Sequence, residues 1–379
     1  MFILPLCASN AIAKKESMYN SLRPYLFRLE PERAHELTLN TLSYAGKFFV
    51  TRKLLELLYS APAKPVQAFG LTFKNPVGIA AGYDKDGIAI RGLAALGFGH
   101  VEIGTVTPRP QPGNPSPRIF RLVEDEAVIN RMGFPSKGTE FMQHQLNPSL
   151  HVGLFERIYG IQPRNNKRKR TTIYTGDAIL GINLGKNKDT PNEEAVYDYV
   201  SLVDNFVPHA DYLTINISSP NTVGLRELQG RAALEYLLSH VHQQRLVSQE
   251  LHKKQVPILV KLAPNLTDSE LDDAIEAILR SKMDGIIVTN TTLAREGVKS
   301  NLRGESGGLS GAPLKAKSEA VLHQTVKHVN GAIPIVSVGG IMNPDDAKKR
   351  LDMGATLIQI YTGLIYRGPG LVKEILRHI

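Results

Sequence analysis

Residues 215–226 read INISSPNTVGLR, an apolar strand end that turns within one residue into polar groups and turn formers. The preceding Tyr212-Leu213-Thr214-Ile215 has the composition of a buried strand. Asn216, Ser218, Ser219, Asn221 and Thr222 then offer short neutral hydrogen-bonding side chains. Pro220 fixes its own φ and pushes Ser219 out of the helical region. By itself the stretch reads in two ways. It is an Asn/Ser-rich turn, or a rigid loop presenting amides and a hydroxyl at a strand's carboxyl end, where α/β proteins keep their chemistry.

Working outward, short apolar runs alternate with amphipathic segments from residue 70 onward. The runs are 76–80, 101–106, 179–184, 212–217, 258–262, 285–289, 333–338 and 356–360. Helix starts are marked between them. Thr267-Asp-Ser-Glu270 is a capping box, and Pro191 and Pro344 stand at first helical positions behind Thr190 and Asn343. Eight strands, each followed by a helix-length segment, predict an α/β fold: a one-domain (β/α)8 TIM barrel over residues 61–379. A doubly wound open sheet is the alternative, but no GxGxxG follows the first strand.

Residues 17–59 read as helical and separate from the barrel. Tyr19, Leu22, Leu26 and Leu29 form one stripe, Glu30-Pro31 interrupts it, and Ala34, Leu37, Thr41, Ala45 and Phe48 form a second. This N-terminal helical extension, 1–60, is either an ordinary cap or an amphipathic pair that touches a membrane. Ala61-Pro62-Ala63-Lys64-Pro65 reads as a linker. Phe2-Ile3-Leu4-Pro5-Leu6 is too short to span a bilayer and reads as the stub of a targeting or anchoring segment.

Charge is unevenly placed. Residues 1–60 carry eight Lys/Arg against five Asp/Glu, and residues 151–177 carry six against two, within a net charge of +9. The core is therefore close to neutral, and a nucleic-acid groove is only weakly suggested; a basic N-terminus fits an anionic membrane surface at least as well. The basic segment 151–177, with its Lys167-Arg-Lys-Arg170 run, reads as an exposed insertion, the alternatives being a targeting signal or a contact site. The single cysteine, Cys7, excludes a disulfide framework and a cysteine catalyst in the body of the chain. No metal motif is present among the eleven histidines, and no carboxylate pair stands out as a hydrolytic acid and base.

The strand ends carry a consistent chemistry. They supply Ala80-Ala81-Gly82 with Lys85, Thr105 with Thr107, Asn183 with Lys186, Asn216 to Ser219, Thr289-Asn290-Thr291, Gly339-Gly340, and Tyr361-Thr362-Gly363. Glycines after the seventh and eighth strands let backbone N–H groups approach a phosphate closely. Lys261 lies among Ile258, Leu259, Val260 and Leu262, so its ammonium needs either an anionic ligand or a salt bridge inside the barrel. A rim rich in neutral donors and lysines suits an anionic substrate beside a phosphate-bearing cofactor better than it suits hydrolysis.

The motifs GIAAGYDKDG (78–87), VEIGTVTPRPQPGNPSPRIFR (101–121), INRMGF (129–134), GINLGKNK (181–188), NISSPNTVGLRELQG (216–230), VKLAPNL (260–266), VTNTT (288–292), GGLSG (307–311), VGGI (338–341) and QIYTGL (359–364) together resemble those of class 2, quinone-dependent dihydroorotate dehydrogenases. The likeness runs over residues 20–379. It implies FMN-dependent oxidation of dihydroorotate to orotate in pyrimidine biosynthesis, with a ubiquinone-type quinone taking the electrons. The FMN contacts it implies are Ala80, Ala81, Gly82, Thr105, Asn183, Asn216, Lys261, Thr289, Ser310, Gly311, Gly339, Gly340, Tyr361 and Thr362. Substrate would meet Lys85, Asn130, Met132, Gly133, Phe134, Asn216, Asn221, Asn290 and Thr291, with Ser219 as the catalytic base. Class 1 enzymes use a cysteine there, so Ser219 favours class 2. Thr222 would orient a proton relay and Phe134 would shield it. Residues 17–59 resemble the family's helical pair around a quinone tunnel, with His35, Arg121 and Tyr361 along it. The resemblance further implies association with a membrane, for which the basic insertion favours the mitochondrial inner membrane over a bacterial one. A tRNA-dihydrouridine synthase-like barrel would want a catalytic cysteine and a basic RNA domain, and neither is visible.

Overall fold

The computed structural model describes residues 18–146, 176–222 and 224–379. Three helices come first: α1 (Met18–Leu26), α2 (Pro31–Lys47) and α3 (Phe49–Leu58). A hairpin of β1 (Val66–Ala68) and β2 (Leu71–Phe73) follows, then β3 (Val77–Ile79) and β4 (His100–Val106). An antiparallel pair, β5 (Ile119–Leu122) and β6 (Ala127–Asn130), interrupts the alternation. The chain continues through β7 (Ile179–Leu184), β8 (Tyr212–Asn216), β9 (Ile258–Leu262), β10 (Gly285–Val288), β11 (Gly308–Gly311), β12 (Ile335–Val338) and β13 (Leu357–Ile360). Strands β3, β4, β7, β8, β9, β10, β12 and β13 close into an all-parallel barrel. Each of the eight apolar runs of the sequence holds one of them. Such strands are buried on both faces, which is why they read as continuous apolar runs rather than alternating ones.

The hairpin β1–β2 plugs the amino ends of the strands, where Phe73 stacks edge-on to His100 at the start of β4. At the opposite end β11 joins β6 and β5 in a three-stranded sheet beside the barrel mouth. The capping box is present: Thr267 accepts the Glu270 N–H at the start of helix Asp268–Arg280, and Glu270 returns a bond to the Thr267 N–H at 2.8 Å. Asn343 likewise caps the helix beginning at Pro344. Pro191 differs from expectation. A 3-10 turn, Asn192–Glu194, separates it from the helix Ala195–Phe206, because Thr190 spends its hydroxyl on Asp198 rather than on a helical N–H.

The N-terminal extension departs from the sequence reading in its number of helices. It has three helices rather than two, α3 starting where Phe48 adopts an extended conformation. It is also packed on the barrel. A Cβ on Gly92 would lie 2.1 Å from the Leu42 carbonyl oxygen, and one on Gly46 2.5 Å from the Gly92 nitrogen. Two helices thus touch backbone to backbone. Glu32 of α2 also pairs with Arg118 at 2.7 Å. No helix among the described residues is long and apolar enough to cross a membrane. The apolar stub at 2–6, Cys7 and nearly all of the basic segment 151–177 lie outside the described residues.

Candidate active site

The polar interior of the barrel is built on one buried carboxylate. Glu102 on β4 is 1% exposed. Its Oε1 accepts Asn183 Nδ2 at 2.8 Å, and its Oε2 accepts the Tyr212 hydroxyl at 2.9 Å and Gln359 Nε2 at 2.8 Å. Asn183 Oδ1, fixed by that bond, accepts Thr105 Oγ1 at 2.6 Å and Asn216 Nδ2 at 2.9 Å. The far end of Asn216 accepts Ser218 Oγ at 2.9 Å, and Ser218 in turn accepts Asn290 Nδ2 at 2.9 Å. A continuous chain of hydrogen bonds thus runs from the barrel axis to the rim and fixes each amide in one orientation. Such a network is stiff because any broken link leaves a buried polar group unsatisfied, at a cost of about 1–3 kcal/mol.

The loop quoted at the outset caps this network. Ser219 is 5% exposed, and its Oγ accepts the Asn221 backbone N–H at 3.2 Å. Asn221 Nδ2 reaches Asn130 Oδ1 at 3.3 Å, joining the loop to β6. Arg226, at the end of the quoted stretch, braces it from behind: Nε donates to the Ser218 carbonyl at 3.1 Å and Nη2 to the Thr291 carbonyl at 3.0 Å. Two neighbouring rim loops are therefore held by one guanidinium.

Lys261 on β9 is paired in register with Asn216 and is buried among apolar neighbours. Burial lowers its pKa and the Glu102 carboxylate opposes that effect. Its ammonium has no hydrogen-bond partner among the described residues, and the residue lines the cavity described below. Lys85 donates to the Gly82 carbonyl at 2.8 Å, and desolvation pulls it down to about 8. His35 on α2 packs edge-on to Tyr83, whose ring packs on Tyr361. Burial, then the nearby Lys85 charge, hold His35 down at about 3, so it is a neutral imidazole at physiological pH. Arg121 lies over the Phe27 ring at 4.7 Å and donates to the carbonyls of Leu26 and Leu29.

One cavity of about 600 Å³ joins these groups. Ser219 and every FMN, substrate and tunnel contact implied by the resemblance line it except Asn183, which stands directly behind Asn216; of the other rim and relay residues read from the sequence, Thr107, Ser218 and Thr222 do not line it. The cavity continues past Tyr361 into an apolar arm walled by Leu22, Leu26, Ala34, Leu37 and Leu42 of α1 and α2. Ser310 and Gly311 come from β11, outside the barrel, where Thr362 Oγ1 donates to Ser310 Oγ at 2.9 Å. Lys186 does not join the rim; it turns away and donates to the Thr190 carbonyl at 2.7 Å. Glu102, Gln359 and Arg226 were not singled out in the sequence. A Glu inside an apolar run is the one signal that was there to be read, and it has the same form as the Lys261 signal. Among the described residues no group of His, Cys, Asp or Glu is placed to hold a metal ion.

Fold and site together define a (β/α)8-barrel enzyme whose polar, nearly carboxylate-free pocket opens into an apolar channel. A sequence profile of the dihydroorotate dehydrogenase family matches residues 65–379. The dihydroorotate dehydrogenase (quinone) of Idiomarina loihiensis is 44% identical over 362 residues, covering 96% of this chain and all of that protein. That of Thiobacillus denitrificans is 46% identical over 358 residues, 94% of this chain and 98% of that protein. A crystal structure of DHODH from Eimeria tenella in complex with ferulenol superposes with a TM-score of 0.78 at 37% identity, over 93% of each chain. The chain belongs to the dihydroorotate dehydrogenase family, in its quinone-dependent class 2, and is an enzyme of pyrimidine biosynthesis. These two relatives are bacterial, so they lend no support to a mitochondrial rather than a bacterial membrane.

Proposed function

We propose that the protein oxidises dihydroorotate to orotate on a bound FMN and passes the electrons to a ubiquinone-type quinone that enters between its N-terminal helices. The observation that carries this reading is the single cavity with a polar end at Ser219 and an apolar end at α1 and α2. FMN, when bound, supplies the acceptor for the hydride that leaves C6 of the substrate.

The residues present fit that cofactor. Lys261 is a buried ammonium without a hydrogen-bond partner, as an anionic ring would require. Ser310, Gly311, Gly339, Gly340 and Thr362 form a small-residue wall where a phosphate can approach backbone N–H groups. Ala80, Ala81, Gly82, Thr105, Asn183, Asn216, Thr289 and Tyr361 complete the cofactor contacts. Lys85 neutralises the substrate carboxylate, while Asn130, Asn216, Asn221 and Asn290 offer amides to the ring, with Met132, Gly133, Phe134 and Thr291 closing round it. Ser219 takes the C5 proton; because its Oγ already accepts the Asn221 N–H, its orientation is fixed before substrate arrives. Thr222, buried in the same loop, relays that proton onward, and Phe134 keeps bulk water out.

Residues 1–60 form the membrane-associating unit. Eleven of the eighteen exposed large apolar side chains among the described residues lie between Leu22 and Leu58, which suits a face laid on lipid. His35, Arg121 and Tyr361 line the path from that face inward. The test is an anaerobic titration of the purified yellow protein with dihydroorotate. Stoichiometric bleaching, reversed by quinone, is expected; a protein that keeps its colour would refute the assignment.

A further inference from the structure

The turn after β12 is made of two glycines with left-handed backbone, Gly339 at φ +109° and Gly340 at φ +73°. A Cβ on Gly340 would lie 2.4 Å from Lys315 Cα, so the turn is pressed onto the start of helix Lys315–Val329. Behind it lies a fully buried cation. Arg350, from helix Pro344–Asp352, donates through Nη2 to the Gly339 carbonyl at 3.0 Å, to Ser318 Oγ at 2.8 Å and to the Lys315 carbonyl at 3.1 Å. Its Nη1 reaches Ser337 Oγ at 3.3 Å. Ser318 Oγ donates to the same Gly339 carbonyl at 2.8 Å. The nearest carboxylate, Glu319, stands 3.6 Å from Nε and is shared with Lys349.

The Gly339 carbonyl is thus held by two donors, and neither Arg350 nor Ser318 lines the cavity, whereas Gly339 and Gly340 do. In a trans peptide the C=O and the following N–H point in opposite directions. Fixing the carbonyl backward therefore aims the Gly340 N–H into the cavity. A buried guanidinium directly behind the peptide also favours an anion in front of it.

We propose that Arg350, assisted by Ser318, is the positioning residue of an anion-binding turn, aiming the Gly340 N–H at the phosphate monoester of the cofactor. This rests on the FMN reading above. The same donor geometry would not discriminate the ring of the flavin, only its phosphate.

The experiment titrates the full-length apoprotein with FMN and with riboflavin, which has the same ring and no phosphate, following flavin fluorescence. Wild-type protein is expected to favour FMN strongly. Arg350→Met should narrow the FMN-to-riboflavin affinity ratio by about ten- to a hundredfold, the size expected for a lost charged hydrogen bond. Arg350→Lys should recover part of that ratio, and Ser318→Ala should lower it by several-fold. Riboflavin affinity should stay within about threefold throughout. An unchanged ratio in Arg350→Met, or equal loss of both flavins, would overturn the inference. Should Arg350→Met fail to fold, an unchanged ratio in Ser318→Ala would overturn it instead. Wild-type protein that binds neither flavin would refute the cofactor reading itself.

Discussion

The two arms of the cavity are built from opposite materials. At the rim, neutral amides and hydroxyls hold one another in a buried chain that starts at Glu102 and ends at Asn290, braced by Arg226. Between the helices, Leu22, Leu26, Ala34, Leu37 and Leu42 offer only shape and apolar surface. The rim's polar groups leave a ligand little orientational freedom, so it suits a small polar molecule that must react in one pose. The helical arm is mainly apolar, with His35 and Arg121 its polar groups near the inner end, so it suits a flexible apolar chain that has to reach the centre. One fold thus separates a step that needs geometry from a step that needs access, and substitutions at the two ends should separate them too.

The largest effect is expected from Ser219→Ala. On the proposed role of Ser219 as general base, its loss should slow reduction of the bound cofactor by dihydroorotate by about 10²–10⁴-fold in stopped flow, while cofactor content stays normal. Reduction at the wild-type rate would remove Ser219 from the mechanism.

Lys261→Met should come next, because it takes a buried charge from the proposed FMN site. Losing about 1–3 kcal/mol of stabilisation of the reduced form corresponds to a fall in two-electron potential of about 20–60 mV, accompanied by weaker cofactor retention. An unaltered potential in spectroelectrochemical titration would leave Lys261 a structural partner of Glu102.

Lys85 sharpens the comparison through pH. Desolvation holds it near 8, below its unfolded value of about 10.4. Between those values the unfolded chain binds more protons, so the ligand-free protein gains stability as pH rises through that window. Substrate binding runs the other way on the proposed pairing of Lys85 with the substrate carboxylate, which needs the ammonium. Accordingly kcat/KM for dihydroorotate should fall above about pH 8, and Lys85→Gln should flatten that limb. A limb that persists in the variant belongs to another group.

Thr267→Ala is the smallest change and serves as the control. Loss of the capping box should cost about 1 kcal/mol in denaturant unfolding and leave both half-reactions unchanged.

Much of this is legible in the sequence alone. The eight apolar runs each hold a barrel strand, because parallel strands buried on both faces cannot hide their pattern. Rim residues could be read for the same reason: a polar group at the end of an apolar run has few purposes other than a turn or a site. Residues acting from behind were harder. Arg226 looks like a surface arginine in a polar loop, and Glu102 matters only once Asn183, Tyr212 and Gln359 converge on it from three other strands. The sheet of β5, β6 and β11 was missed because its third strand pairs from about 180 residues away. The extension's close packing on the barrel rests on Gly46 and Gly92, and a glycine in a helix does not announce which backbone will approach it.

That packing makes substitution a cleaner probe than deletion of the extension. Ala34 lines the apolar arm on α2, and Ala34→Trp should narrow the throat without touching the rim. The decisive measurement is the two half-reactions of this variant, followed separately in anaerobic stopped flow. Reduction by dihydroorotate should match wild type, reoxidation by a long-tailed quinone should fall about tenfold or more, and a small soluble acceptor should still reoxidise it. Equal slowing of both half-reactions, or unimpeded reoxidation by the long-tailed quinone, would contradict the division of the cavity into two arms.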